Sequence, residues 1–169
     1  MVTTLKPRAT PKTGAEKEIL RTILHNNRAA VAWKLEGVNA EDAARPMVRS
    51  GTNLIGLVKH LAWVELGWFV EFFAGEPVDD PYPGMDDADM RAEPGDTAES
   101  VIELYEQHIA RADAVIDAHD LDELSARDRH GERFSLRWIV VHMIEETARH
   151  AGHADILREQ IDGTTGLYP

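Results

Sequence analysis

The chain has no cysteine, and that absence removes disulfides, thiolate metal ligands and a protein-borne thiol nucleophile together. A reaction that needs sulfur must take it from a small molecule, and a chain without disulfides fits a reducing, cytoplasmic compartment. Basic residues are scarce as well. Eighteen Lys and Arg stand against 30 Asp and Glu, a formal charge of −12, which argues against nucleic acid as a partner because phosphate binding depends on clustered cations. Long apolar runs are missing too. The densest window, Leu54 to Phe73, is broken by Lys59, His60, Glu65 and Glu71, so no membrane span is expected. There is no alternating strand pattern, internal repeat or phosphate-binding glycine loop. The opening MVTTLKPRATPKTG lacks the apolar core of a signal peptide, so residues 1–12 read as a disordered tail and residues 13–169 as one domain around one core.

What is present is helical periodicity. Thr13-Gly14-Ala15-Glu16 has the form of a capping box, and behind it Ile19, Leu20, Ile23, Leu24, Val31 and Leu35 recur at helical spacing up to Gly37. After Pro46, Thr52 is placed to cap a second helix through Leu54, Leu57, Leu61, Val64, Trp68 and Phe72, ending near Gly75. That helix is apolar nearly all round and should be buried. Glu76 to Gly95, with Pro77, Pro81, Pro83, Pro94 and many aspartates, reads as a long crossover loop. Asp96 or Thr97 opens a third helix carrying Val101, Leu104, Tyr105, Ile109, Ala112, Val115 and Ile116, which fades at His119-Asp120. Ser135 caps a fourth, from Leu136 to about Asp162, stopped by Gly163. The expected fold is all-α: a four-helix bundle with a long crossover loop between helices 2 and 3.

On the fourth helix the inward seam runs through Ile139, Met143, Glu146, His150, His153 and Leu157. A carboxylate in an apolar interior must be neutralised, paired or bound to a cation, and neighbouring imidazoles offer further ligands for one. Glu146 and His150 are one turn apart, with Cβ atoms about 5–6 Å from each other. His60 lies amid Leu57, Leu61, Trp63 and Val64 on the second helix, with Gly56 and Gly67 on nearly the same face leaving space beside the imidazole. Plainer readings stand beside this one. His60 alone reads equally as a core histidine bonded to a carbonyl, and Glu146 with His150 as a mutually satisfied pair. His153 fits a proton-transfer or supporting role, a fourth ligand, or packing. His108 falls near the inner face of the third helix, while His25, His119, His130 and His142 fall at surfaces or caps; none of the five is assigned to a metal. No HExxH and no paired ExxH motif occurs, which leaves a mononuclear centre of His, Glu and His with an open position, suited to Zn²⁺ first and to Ni²⁺, Fe²⁺ or Mn²⁺ after it. The aromatics Trp63, Trp68, Phe69, Phe72 and Phe73 read as core, and any exposed remainder would favour a homodimer through helix 2.

SGTNLIGLVKHLAWVE at residues 50–65 and HMIEETARHAGHADILREQIDG at residues 142–163 resemble the DinB-like superfamily over nearly the whole chain. Its usual metal triad is one histidine on the second helix and two, four apart, on the last. Here Glu146 stands at the first of that pair, which resembles the mycothiol-dependent maleylpyruvate isomerase and mycothiol S-transferase branch, in particular its single-domain actinobacterial relatives. By position the resemblance implies His60, Glu146 and His150 as ligands, mycothiol as the thiol cosubstrate, and attack of a metal-activated thiolate on a small electrophile. The isomerase's C-terminal domain has no counterpart in the matched stretch, so S-transfer rather than isomerisation is the expectation. A hydrolase using activated water, and a non-enzymatic metal-binding stress module, are the alternatives.

Overall fold

A computed structural model describes residues 3–79, 81–82 and 88–168. The described chain is all-helical, with two isolated bridges, Leu124 with Ser135 and Arg129 with Glu132, in place of strands. Its α-helices are α1 (Glu16–Trp33), α2 (Ala40–Ala44), α3 (Leu54–Glu65), α4 (Ala98–Ala118) and α5 (Leu136–Asp162). Caps set most of the boundaries. Asn39, Asn53, Thr97 and Ser135 each accept a backbone N–H from the first turn of the helix they precede, and Thr97 closes a reciprocal box with Ser100. Gly163 ends α5 at φ +80, a left-handed position that costs glycine nothing.

Three local expectations need correcting. The Thr13 box does not form: Ala15 precedes α1 and makes no side-chain cap. Asn53, one residue after Thr52, caps α3. The second helix is not α-helical to Gly75, because Leu66–Phe73 winds as a π-helix whose wider turn shows in the bond from Ala74 N–H to Phe69 O. That winding buries Phe69, Val70 and Phe73 and leaves Trp68 and Phe72 part-exposed.

α1 packs chiefly on α5, and α3 on α4 and, more lightly, on α5. Their apolar faces form two clusters. One holds Leu35, Leu54, Leu57, Leu61, Ile102 and Leu157; the other holds Leu24, Phe69, Phe73, Ile116, Ile139 and Met143. Where one cluster gives way to the other along α1, α3 and α5, the buried residues are polar: Arg28, Glu65, Thr147 and His150. Arg28 donates through Nε and Nη2 to both oxygens of Glu65 at 2.6 and 2.5 Å, and through Nη1 to Asp113 on α4 at 2.7 Å. Buried charge survives here because donors and acceptors are matched in a bidentate pair. Residues ahead of α1, read from composition as a loose tail, make bonds of their own. Thr3 and Thr4 donate to Glu106, and His25 bonds the carbonyl of Lys6. No described helix is long and apolar enough to cross a membrane.

Candidate metal centre

The polar belt opens into a cluster where α3 meets α5. His60, in the second turn of α3, and Glu146 and His150, one turn apart on α5, present ligand atoms that all lie within 4.8 Å of one another. Glu146 Oε1 stands 2.9 Å from His150 Nε2 and 3.6 Å from His60 Nε2. The two imidazole rings meet edge to face, 5.2 Å between centroids. Around a tetrahedral ion bound at about 2.1 Å, neighbouring ligand atoms sit about 3.4 Å apart, and the two distances to Oε1 bracket that value. The donors are two nitrogens and a carboxylate oxygen, a set that suits zinc and its first-row neighbours. His60 and Glu146 keep 19% and 14% of their side chains exposed, so one side of the cluster faces outward, where an exogenous ligand could enter.

A further residue completes the histidine. Asp89, in a single 3-10 turn at Ala88–Met90, accepts the Nδ1–H of His60 at 2.8 Å. This fixes the tautomer and leaves Nε2 free to bind a cation. The turn reaches α3 because of Gly56, one turn before His60. A Cβ on Gly56 would fall 1.8 Å from Met90 O, so only glycine lets the turn rest on the helix there. Gly56 therefore makes room for backbone, and not for open space beside the imidazole. Helical periodicity had no means of selecting Asp89 from a loop crowded with aspartates; the one signal was a glycine in an otherwise bulky helix.

The electrostatics follow from these contacts. Burial disfavours the charged form of His60, but the Asp89 hydrogen bond and charge, with Glu146, outweigh it and raise its pKa. For His150 burial prevails over the attraction of Glu146 and its pKa falls. Burial pushes Glu146 up, yet the charge and hydrogen bond of His150, with Arg149, hold it below the usual carboxylate range. Arg149 Nη1 donates to Glu146 Oε2 at 2.9 Å, leaving Oε1 for the centre. His150 is 8% exposed and its Nδ1 has no hydrogen-bond partner among the described residues.

His153 does not continue the inward seam. It is exposed, its ring 5.4 Å from that of His150, because the step from His150 turns it off the packed face of α5. His25 is buried against Lys6 O rather than on the surface, and His108 is buried against Ala62 O. His119 pairs with exposed Glu123, His130 occupies a positive-φ turn, and His142 stacks on Trp138. The family described as Mycothiol-S-transferase matches residues 19–163. A comparison with curated proteins gives no match.

Proposed function

Because the chain belongs to the mycothiol S-transferase family, we propose that it joins a small-molecule thiol of the mycothiol type to a small electrophile, with a divalent cation, Zn²⁺ first, held by His60, Glu146 and His150. The observation that carries this reading is the convergence of those three ligand atoms at a partly open cluster, in a chain with no cysteine to serve as nucleophile. When bound, the cation supplies a Lewis acid that lowers the pKa of a thiol into the neutral range. The chain's own groups do the rest. Asp89 holds the His60 ring in register, Arg149 occupies the outer oxygen of Glu146, and burial keeps His150 neutral as a ligand must be. The four long helices are read as a four-helix bundle whose 74–97 connection crosses over and brings Asp89 back to α3. His153, exposed beside His150, is assigned a proton-transfer role at the rim of the site.

The test is elemental analysis of untagged protein followed by a thiol-consumption assay. One equivalent of metal is expected, lost in His60→Ala and His150→Ala, together with mycothiol consumption that requires both metal and electrophile. Turnover of amide or ester substrates without any thiol would replace this reading with hydrolysis.

A further inference from the structure

Gly67 sits inside the π-helical continuation of α3, where glycine costs about 0.5–1 kcal/mol relative to alanine. Unlike Gly56, it makes room for no neighbour among the described residues: a Cβ built there meets none of them within 4 Å. It fronts a cleft of about 280 Å³ lined by Val64, Gly67, Trp68, Phe72 and Arg129. Val64 is one turn, about 6 Å along the axis, beyond His60. Across the seam His142, one turn before Glu146, brings its ring within 4.9 Å of the Trp68 ring. The cleft thus continues the α3–α5 seam on which the ligand atoms lie. Its aromatic wall is Trp68 and Phe72, edge to face at 5.3 Å, backed by Phe134 and Trp138. The Arg129 guanidinium lies 5.7 Å from the centre of the Trp68 ring and makes no ion pair among the described residues, in a chain whose formal charge is −12. A cation left without a carboxylate in so acidic a protein suits an anion brought by a ligand.

We propose that this cleft holds the electrophile: a flat, single-ring aryl halide whose face lies on Trp68 and Phe72 and whose carboxylate meets Arg129. The claim to be the acceptor subsite rests on the transferase reading; the claim to bind such a ring does not. In the transfer the thiol sulfur forms the bond to the ring carbon. The carbon–halogen bond breaks, halide leaves with the bonding pair, and the thiol proton passes to solvent.

Titration calorimetry with 4-chlorobenzoate and its neutral counterpart 4-chlorobenzamide, without thiol, tests the cleft. Wild type is expected to bind the carboxylate at least tenfold more tightly. Gly67→Leu, whose side chain enters the cleft from a position with room for a Cβ, is expected to weaken both ligands at least tenfold at unchanged metal content. Arg129→Gln, on an exposed loop, is expected to erase the preference and keep the benzamide. Equal affinity in wild type and Gly67→Leu, or a carboxylate preference that survives Arg129→Gln, overturns the proposal. The same variants in mycothiol assays with 4-chloro-3-nitrobenzoate should raise the KM of the electrophile and leave that of mycothiol unchanged. Ring binding that behaves as expected with no thiol consumed supports the cleft and overturns the transferase reading instead.

Discussion

Asp89 touches no reacting atom in this arrangement, yet it decides which nitrogen of His60 carries the proton. Loss of such a carboxylate typically lowers metal affinity by about 10–100-fold. Asp89→Ala is expected to fall in that range in competition with a chromophoric chelator. Asp89→Asn, whose carbonyl oxygen still accepts the Nδ1–H, should recover most of it; equal affinity in wild type and Asp89→Ala would show that the ring is oriented by something else. The Arg28–Glu65 pair behaves differently because both partners are buried, at 1% and 0% exposure. Glu65→Leu strands a guanidinium with the part-exposed Asp113 as its one ion-pair partner among the described residues, a loss of about 3 kcal/mol in urea unfolding. Arg28→Met combined with Glu65→Leu should restore much of that stability, since no charge is then left in the belt. A double variant as unstable as Glu65→Leu alone would mean that packing, and not the orphaned charge, sets the cost.

At the level of elements, the two helical glycines of α3 and its continuation should respond in opposite directions to the same change. Gly56→Ala drives a methyl into the backbone of the Ala88–Met90 turn. It is expected to cost about 1–3 kcal/mol and to weaken metal binding as Asp89→Ala does, because the turn that carries Asp89 must move. Gly67→Ala meets none of the described residues within 4 Å and should stabilise by up to about 1 kcal/mol. Thermal melts separate the pair, and destabilisation by both would show that the π-helical stretch demands glycine for its backbone. The same elements mark what sequence reveals. Ser135 and Gly163 bound α5 to the residue, and Thr97 opens α4, since capping is a local chemical requirement. The three side chains that converge lie on helices, where spacing dictates facing. Asp89 and the π-helical stretch were hidden for a shared reason. Each depends on how a distant segment packs, as Met90 does on Gly56, and no period of 3.6 encodes that.

For the whole molecule, the polar belt and the buried histidines around it tie stability to proton uptake. Burial outweighs the carbonyl bonds of His25 and His108 and lowers both pKa values below 6.5. The unfolded chain then binds these protons more readily than the folded one. Their contribution is complete above about pH 6.5 and is lost as pH falls toward the folded values. His60 has the opposite sign: its pKa is raised, so its contribution is complete below about 6.5 and is lost as pH rises through the folded value. His150, lowered by burial as well, acts with His25 and His108, so in metal-free protein the two effects oppose each other and removing His25 and His108 weakens the first of them. The double variant His25→Gln, His108→Asn keeps an N–H donor at the position of the bonded ring nitrogen, Nε2 in His25 and Nδ1 in His108, and has no imidazole to charge there. Urea midpoints at pH 7.5 and 5.5, with chelator present, should show the double variant losing less stability on acidification than wild type, or gaining where wild type loses. Identical changes in the two proteins would place the acid sensitivity elsewhere, in His150 or the carboxylates of this acidic chain, and leave His25 and His108 without influence on it.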